Sequence, residues 1–155
     1  MTETTSSHFT DFFCNVSLLS ALAAWTVAQS IKFSWNLFRT GTIDFGYFVS
    51  TGGMPSAHSA MVSGLATSIG LRTGLGSATF AVCLCFALVV MFDAQSVRRA
   101  AGQQARLLNQ IVAEFFKEHH FSKQKMAEFL GHTRTEVFAG MVLGIATAFL
   151  VHAIS

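Results

Sequence analysis

Four widely separated stretches hold residues whose types suit phosphate-ester chemistry. Lys32 and Arg39 stand seven positions apart; residues 52–60 read GGMPSAHSA and contain Pro55, Ser56 and His58; Asp93 precedes Arg98 and Arg99; His132 stands four positions before Glu136. Phosphate-ester hydrolysis is extremely slow without a catalyst, and its transition state spreads charge over three equatorial oxygens. A catalyst must surround that charge with fixed cations and donors, for which Lys32, Arg39 and one of Arg98 or Arg99 are available. Pro55 suits the first turn of a helix, where free backbone N–H groups and the Ser56 hydroxyl make an anion site, and the two glycines before it let the chain bend toward a ligand. Two histidines can divide the remaining work, one attacking phosphorus as neutral imidazole and one protonating the leaving oxygen. His132 and Glu136, four apart, share a helix face, so the carboxylate can hold the imidazole by its other N–H; His58 is then the general acid.

The elements that must position these residues are membrane helices. The chain has 155 residues, of which 52% are hydrophobic and only 12% charged, well below the roughly 25% charged residues of a soluble domain. Four windows free of Lys, Arg, Asp and Glu, at 12–31, 56–71, 75–92 and 137–154, approach the ~17–25 residues a spanning helix needs. The expected fold is therefore all-α, an integral membrane bundle of about four transmembrane helices in one domain, behind a polar tail at 1–11. The second window is short and rich in Gly, Ser and Ala. Its Ala60, Gly64 and Ser68, spaced by four, predict close packing among the other helices. Residues 96–119 carry Val97, Ala101, Leu108, Ile111 and Phe115 at helical spacing, which predicts an amphipathic helix on the membrane surface or against the bundle.

Four spans put both termini on one side, with residues 32–55 and 93–136 on the other. Nine of the ten Lys and Arg residues fall on that second side and only Arg72 on the first. The positive-inside tendency makes the basic side cytoplasmic and leaves both termini outside. All the residues suited to phosphate chemistry then lie at the cytoplasmic end. The three cysteines, Cys14, Cys83 and Cys85, have no metal or disulfide spacing and are expected to be small buried hydrophobes. The first apolar run has no basic residues ahead of it and is expected to be retained rather than cleaved. Bland roles compete at every position: a histidine at a helix end is commonly solvated or a cap, and a lysine at a span end commonly snorkels. His119, His120 and His152 are read as incidental.

Taken in order, these residues resemble the motifs of the type-2 phosphatidic acid phosphatase superfamily, in its divergent small-membrane-protein branch related to acid phosphatases and vanadium-dependent haloperoxidases. Lys32-FSWNLF-Arg39 keeps the spacing of the first motif, with Thr40 in place of its proline. Pro-Ser-Gly-His appears as Pro55-Ser56-Ala57-His58, with Ala57 in place of glycine, and the motif ending in histidine, three residues and aspartate appears as His132-TRT-Glu136, with the longer acid. Where the superfamily has Ser-Arg, this chain has Lys125-Met126, and Arg98 in FDAQSVRRAAGQQ is the expected substitute cation. The resemblance implies a metal-independent phosphatase acting on a membrane lipid or isoprenoid phosphate through a phosphohistidine. It makes His132 the nucleophile, Glu136 its orienting partner, His58 the acid, and Lys32, Arg39 and Ser56 the phosphate ligands. Asp93 has no counterpart; it can pair with Arg98 or Arg99, or hold a magnesium ion if the branch has altered its chemistry. No other cofactor and no nucleic acid is expected, a homo-oligomer is allowed, and the implied location is a bacterial-type inner membrane. Two other classes fit the same residues: a phospholipid- or anion-binding protein or transporter component without turnover, and a haem or metal protein using His58 and His132.

Overall fold

The structure, a computed structural model, describes residues 12–41, 53–115 and 133–155. These form four helices in chain order: α1 (Val16–Thr40), α2 (Ala57–Thr73), α3 (Ala78–Phe115) and α4 (Arg134–Ile154). No strand occurs among the described residues. The expected all-α bundle is observed, and α1, α4 and the first 18 residues of α3 are each long and apolar enough to cross a bilayer.

Small residues decide the packing. The shortest helix, α2, sits at the centre, touching α4, α1 and α3, because it presents Ala57, Ala60, Gly64, Ser68 and Gly70 as buried positions on several faces. Ala24 and Ala28 of α1 meet Ala57 and Ala60 in one core cluster, and Val62 and Ala66 meet Ala87 of α3 in another. Against α4 the approach is closer still: a Cβ on Gly140 would collide with the Ser56 carbonyl oxygen, and one on Gly144 with the Ala60 carbonyl oxygen and the Ser63 hydroxyl. Without a hydrophobic driving force in lipid, such backbone-to-backbone packing and hydrogen bonds between helices hold the spans together. Ser63 Oγ donates to the Met141 carbonyl at 3.2 Å, and the Ser56 N–H to the Glu136 carbonyl at 3.0 Å.

Three expectations are corrected. The first helix begins at Val16, where the Asn15 side chain accepts from the Ser17 and Leu18 N–H groups. It runs on past residue 31 to Thr40 and stops at Gly41, whose φ of 67° lies in the left-handed region. Lys32 and Arg39 are therefore on the helix, not in a loop after it. The third span and the amphipathic segment are one continuous 38-residue helix, since neither Gly nor Pro interrupts residues 78–101; residues 116–119 of that segment lie outside the described residues. The cysteines are free, and Cys14 and Cys85 are exposed rather than buried.

His152 is not incidental. Its Nε2 lies 2.8 Å from Ser68 Oγ, which lies 3.1 Å from Ser17 Oγ, so one polar chain ties the start of α1 to the ends of α2 and α4. The Lys32, Pro55 and Glu136 positions gather at the opposite end of the bundle.

Candidate active site

Seven residues make nearly two turns of helix, so Lys32 and Arg39 project from one face of α1, about 10 Å apart along its axis at 1.5 Å per residue. That face opens on a cavity of about 630 Å³ bounded by α1, the turn at Gly53–Pro55 and α4. Its polar groups come from Lys32, Asn36 and Arg39; Ile31, Trp35, Met54, Ala139 and Leu143 supply apolar wall. The size is ordinary for a small-molecule site, and the lining is mostly apolar with a few placed charges.

Lys32 is the unusual member. Only 5% of it is exposed, and no hydrogen bond or ion pair to its ammonium occurs among the described residues. The Glu136 carboxylate, in the first turn of α4 and not among the residues lining the cavity, contributes a negative charge that acts on it. Withdrawing most of a lysine from water without a partner for its charge is costly, so the arrangement is suited to an anion entering the cavity. Arg39 is exposed, in the last turn of α1, where a cation also complements the helix dipole.

The turn beside them is shaped by Gly53, whose φ of 91° strains any residue with a side chain. Pro55 lines the cavity but lies one residue before the helix cap, not in the first turn as expected. The cap is Ser56. It is fully buried, its hydroxyl accepts from the Ser59 N–H and Oγ, and its carbonyl is covered by Gly140. Ser56 is thus occupied in starting α2 and is not among the residues lining the cavity. His58, in the first turn of α2, is exposed and is likewise not in that lining.

Glu136 sits in a capping box at the start of α4. The Thr133 side chain accepts from the Glu136 N–H at 3.3 Å, and Glu136 Oε2 accepts from the Thr133 N–H at 3.0 Å. The pattern Thr-x-x-Glu is legible in sequence, and it anchors the carboxylate at the Lys32 end. His132 lies outside the described residues, immediately before this cap. Arg98 and Arg99 lie on the α3 backbone with their side chains outside the described set. Asp93 is exposed on α3, and among the described residues no three His, Cys, Asp or Glu side chains gather as a metal site.

Sequence patterning overlooked Gln29. It is 5% exposed, one turn from Lys32 on α1, and its Oε1 is buried without a hydrogen-bond partner. A glutamine within a span is itself a signal, because polar side chains at that depth are costly and concentrate at functional interiors. Gln29→Met keeps the volume and removes the orphaned carbonyl. It is expected to raise stability by about 1 kcal/mol in a thermal or denaturant melt.

The comparison with known proteins decides the kinship. The model of the divergent PAP2 family matches residues 13–147. The chain belongs to the divergent PAP2 family. A relative in Bacillus subtilis (strain 168), named as the uncharacterized membrane protein YuiD, is 41% identical over 146 residues, covering 87% of this chain and 92% of the relative. No solved structure matches. This divergent PAP2 protein is accordingly an integral membrane protein with a phosphatase-related ancestry. The match takes in Lys32, Arg39, Pro55, Ser56, His58, His132 and Glu136, the residues that carry the sequence resemblance.

Proposed function

We propose that this divergent PAP2 protein is a membrane phosphatase that removes the phosphate from a lipid or isoprenoid phosphate monoester, phosphatidylglycerophosphate among them. One observation carries the reading: Lys32, a buried lysine whose ammonium has no hydrogen-bonding partner among the described residues, lines with Arg39 a cavity whose remaining wall is largely apolar. An anion alone would match the cations, but only an amphiphile matches both the cations and the Trp35, Ile31 and Leu143 surface.

In the reaction, Lys32 and Arg39, joined by Arg98, hold the phosphate oxygens. A neutral His132 nitrogen attacks phosphorus while the bond to the lipid oxygen breaks, and His58 gives that oxygen its proton. Glu136, fixed by its capping box, orients the histidine and balances its positive charge. Water, deprotonated by His58, then cleaves the phosphohistidine and releases inorganic phosphate. Ser56 contributes through the helix start it caps. The steps require no metal.

Purified protein is expected to release phosphate from a panel of lipid phosphates and to form an acid-labile phosphoprotein that His132→Ala abolishes. Full activity in both His132→Ala and His58→Ala would sink the mechanism. A second reading, binding without turnover, is favoured by the absence of His58 from the cavity lining; a trapped phosphohistidine rejects it.

In this proposal residues 32–55 and 93–136, which hold nine of the ten Lys and Arg residues, face the cytoplasm of a bacterial-type inner membrane, and both termini face out. Cys14, exposed just ahead of α1, reports on this directly. An impermeant maleimide is expected to label Cys14 in intact cells, and labelling only after lysis reverses the orientation.

A further inference from the structure

The helices α3 and α4 both pack on α2 yet barely touch each other. Between them lie two hollows in line. The first, of about 370 Å³, is at the Lys32 end, with Arg134 and Gln95 at its mouth. The second, of about 360 Å³, runs on over the floor of α2 to Leu75 and Phe149 near the far end. Met91 and Met141 border both, so the two form one groove with a junction made of two flexible thioethers. From Arg134 to Phe149 the groove follows α4 for about 22 Å at 1.5 Å per residue, more than the ~15 Å of one leaflet's hydrocarbon.

This groove is separate from the Lys32 cavity. Ala139 and Leu143 face that cavity, whereas Met141 and Ile145, each two positions away and so on roughly the opposite side of α4, face the groove. Below its mouth the lining is apolar apart from Ser63 and Thr67, and the Ser63 hydroxyl at its floor is engaged with the Ser59, Ala60 and Met141 carbonyl oxygens. A dry hollow of this size forfeits dispersion contacts along its whole wall, and at bilayer depth what fills it is a hydrocarbon chain. The guanidinium at its mouth selects the headgroup by charge.

We propose that the α3–α4 groove holds one anionic phospholipid, its phosphate at Arg134 and one acyl chain laid past the Met91–Met141 junction toward Phe149, as a fixed part of the bundle. The site does not rest on the phosphatase reading and is built from other residues.

The test uses the full chain in proteoliposomes containing phosphatidylglycerol, or phosphatidylcholine, with a diazirine at the end of one acyl chain. Adducts are mapped by peptide mass spectrometry after illumination. With phosphatidylglycerol, adducts are expected to concentrate at the buried Ala66 and half-buried Ile145 of the groove wall over Val82 and Val89, which are about two-thirds exposed on α3 and report ordinary bilayer contact. Arg134→Gln is expected to lower groove adducts about fivefold, the scale of one cation at a lipid surface. Met141→Trp is expected to fill the junction and remove adducts at Ala66 and Ile145 while sparing Val82. Ile145→Trp serves the same purpose if Met141→Trp does not fold. Equal labelling of groove and Val82, unchanged by the filling variants, overturns the site. Equal groove labelling by the phosphatidylcholine probe overturns the choice of an anionic lipid.

Discussion

Lys32→Met is expected to lower kcat/KM for lipid-phosphate hydrolysis by about two to three orders of magnitude while leaving the protein as stable as before or more so. The two effects come from the same atom. In the free protein Lys32 is 5% exposed as a residue and its ammonium has no hydrogen-bond partner among the described residues, so a charge largely withdrawn from water is retained at a cost to stability. Methionine keeps an unbranched stem in the cavity wall shared with Ile31 and Trp35 and deletes the charge. Replacing such a group with an apolar one of similar volume is commonly neutral or stabilising. In the transition state of the proposed reaction, by contrast, the ammonium would meet charge that develops on the phosphoryl oxygens, and loss of one such preorganised donor costs roughly 3–4 kcal/mol. Paired measurements of phosphate release and of a thermal melt in detergent separate the two. A drop in both means that Lys32 is structural. No drop in activity removes the cavity from the mechanism. Arg39→Met is expected to be milder, because Arg39 is exposed and its charge is screened.

The largest stability loss is expected from Gly144→Ala. The added methyl collides with the Ala60 carbonyl oxygen and the Ser63 hydroxyl and stands 2.9 Å from the Ala60 carbonyl carbon. Two of those three atoms are backbone and cannot turn aside, so α4 must move off α2 or tilt. Overpacking typically costs about 1–3 kcal/mol, and a clash with backbone belongs at or above the upper end. The same shift would strain the Ser63 bond to the Met141 carbonyl and displace the α4 wall of the Lys32 cavity. Gly140→Ala is expected to behave alike, through the Ser56 carbonyl that it would strike. Gly64→Ala should be milder, since its nearest neighbour would be Ala24 Cβ at 3.1 Å, and Gly76→Ala, with open space around it, should be silent. A melt series that fails to order the variants in this way contradicts the packing described.

The ordering shows how far patterning reaches. Apolar windows and caps are local properties, so the helices at 56–71 and 137–154 were legible to within a few residues. Likewise the seven-residue interval between Lys32 and Arg39 implied a shared face before any fold was known. The first helix was cut short at residue 31 because a window that stops at a charge ignores how deep a lysine can be buried when neighbours allow it. The long α3 was divided at Asp93, a charge that the continuous helix carries exposed. In the candidate site, Lys32, Arg39, Pro55 and Glu136 were each legible as members of one end of a bundle. Their roles were not. Ser56 read as a phosphate ligand, and its burial under Gly140 turned it into a helix cap; Glu136 read only as a partner for histidine, although Thr133 three positions earlier marked a capping box.

Membrane class, helix content, the grouping of charge at one end and membership of a family thus follow from the order of residues, because each depends on composition and on intervals along the chain. The burial of Lys32, the orphaned Gln29 carbonyl, the tie between His152, Ser68 and Ser17, and the separation of α3 from α4 came only with the packed bundle. Each is a relation between side chains brought together from distant parts of the chain, where contact is set by how closely glycine and alanine let one backbone approach another.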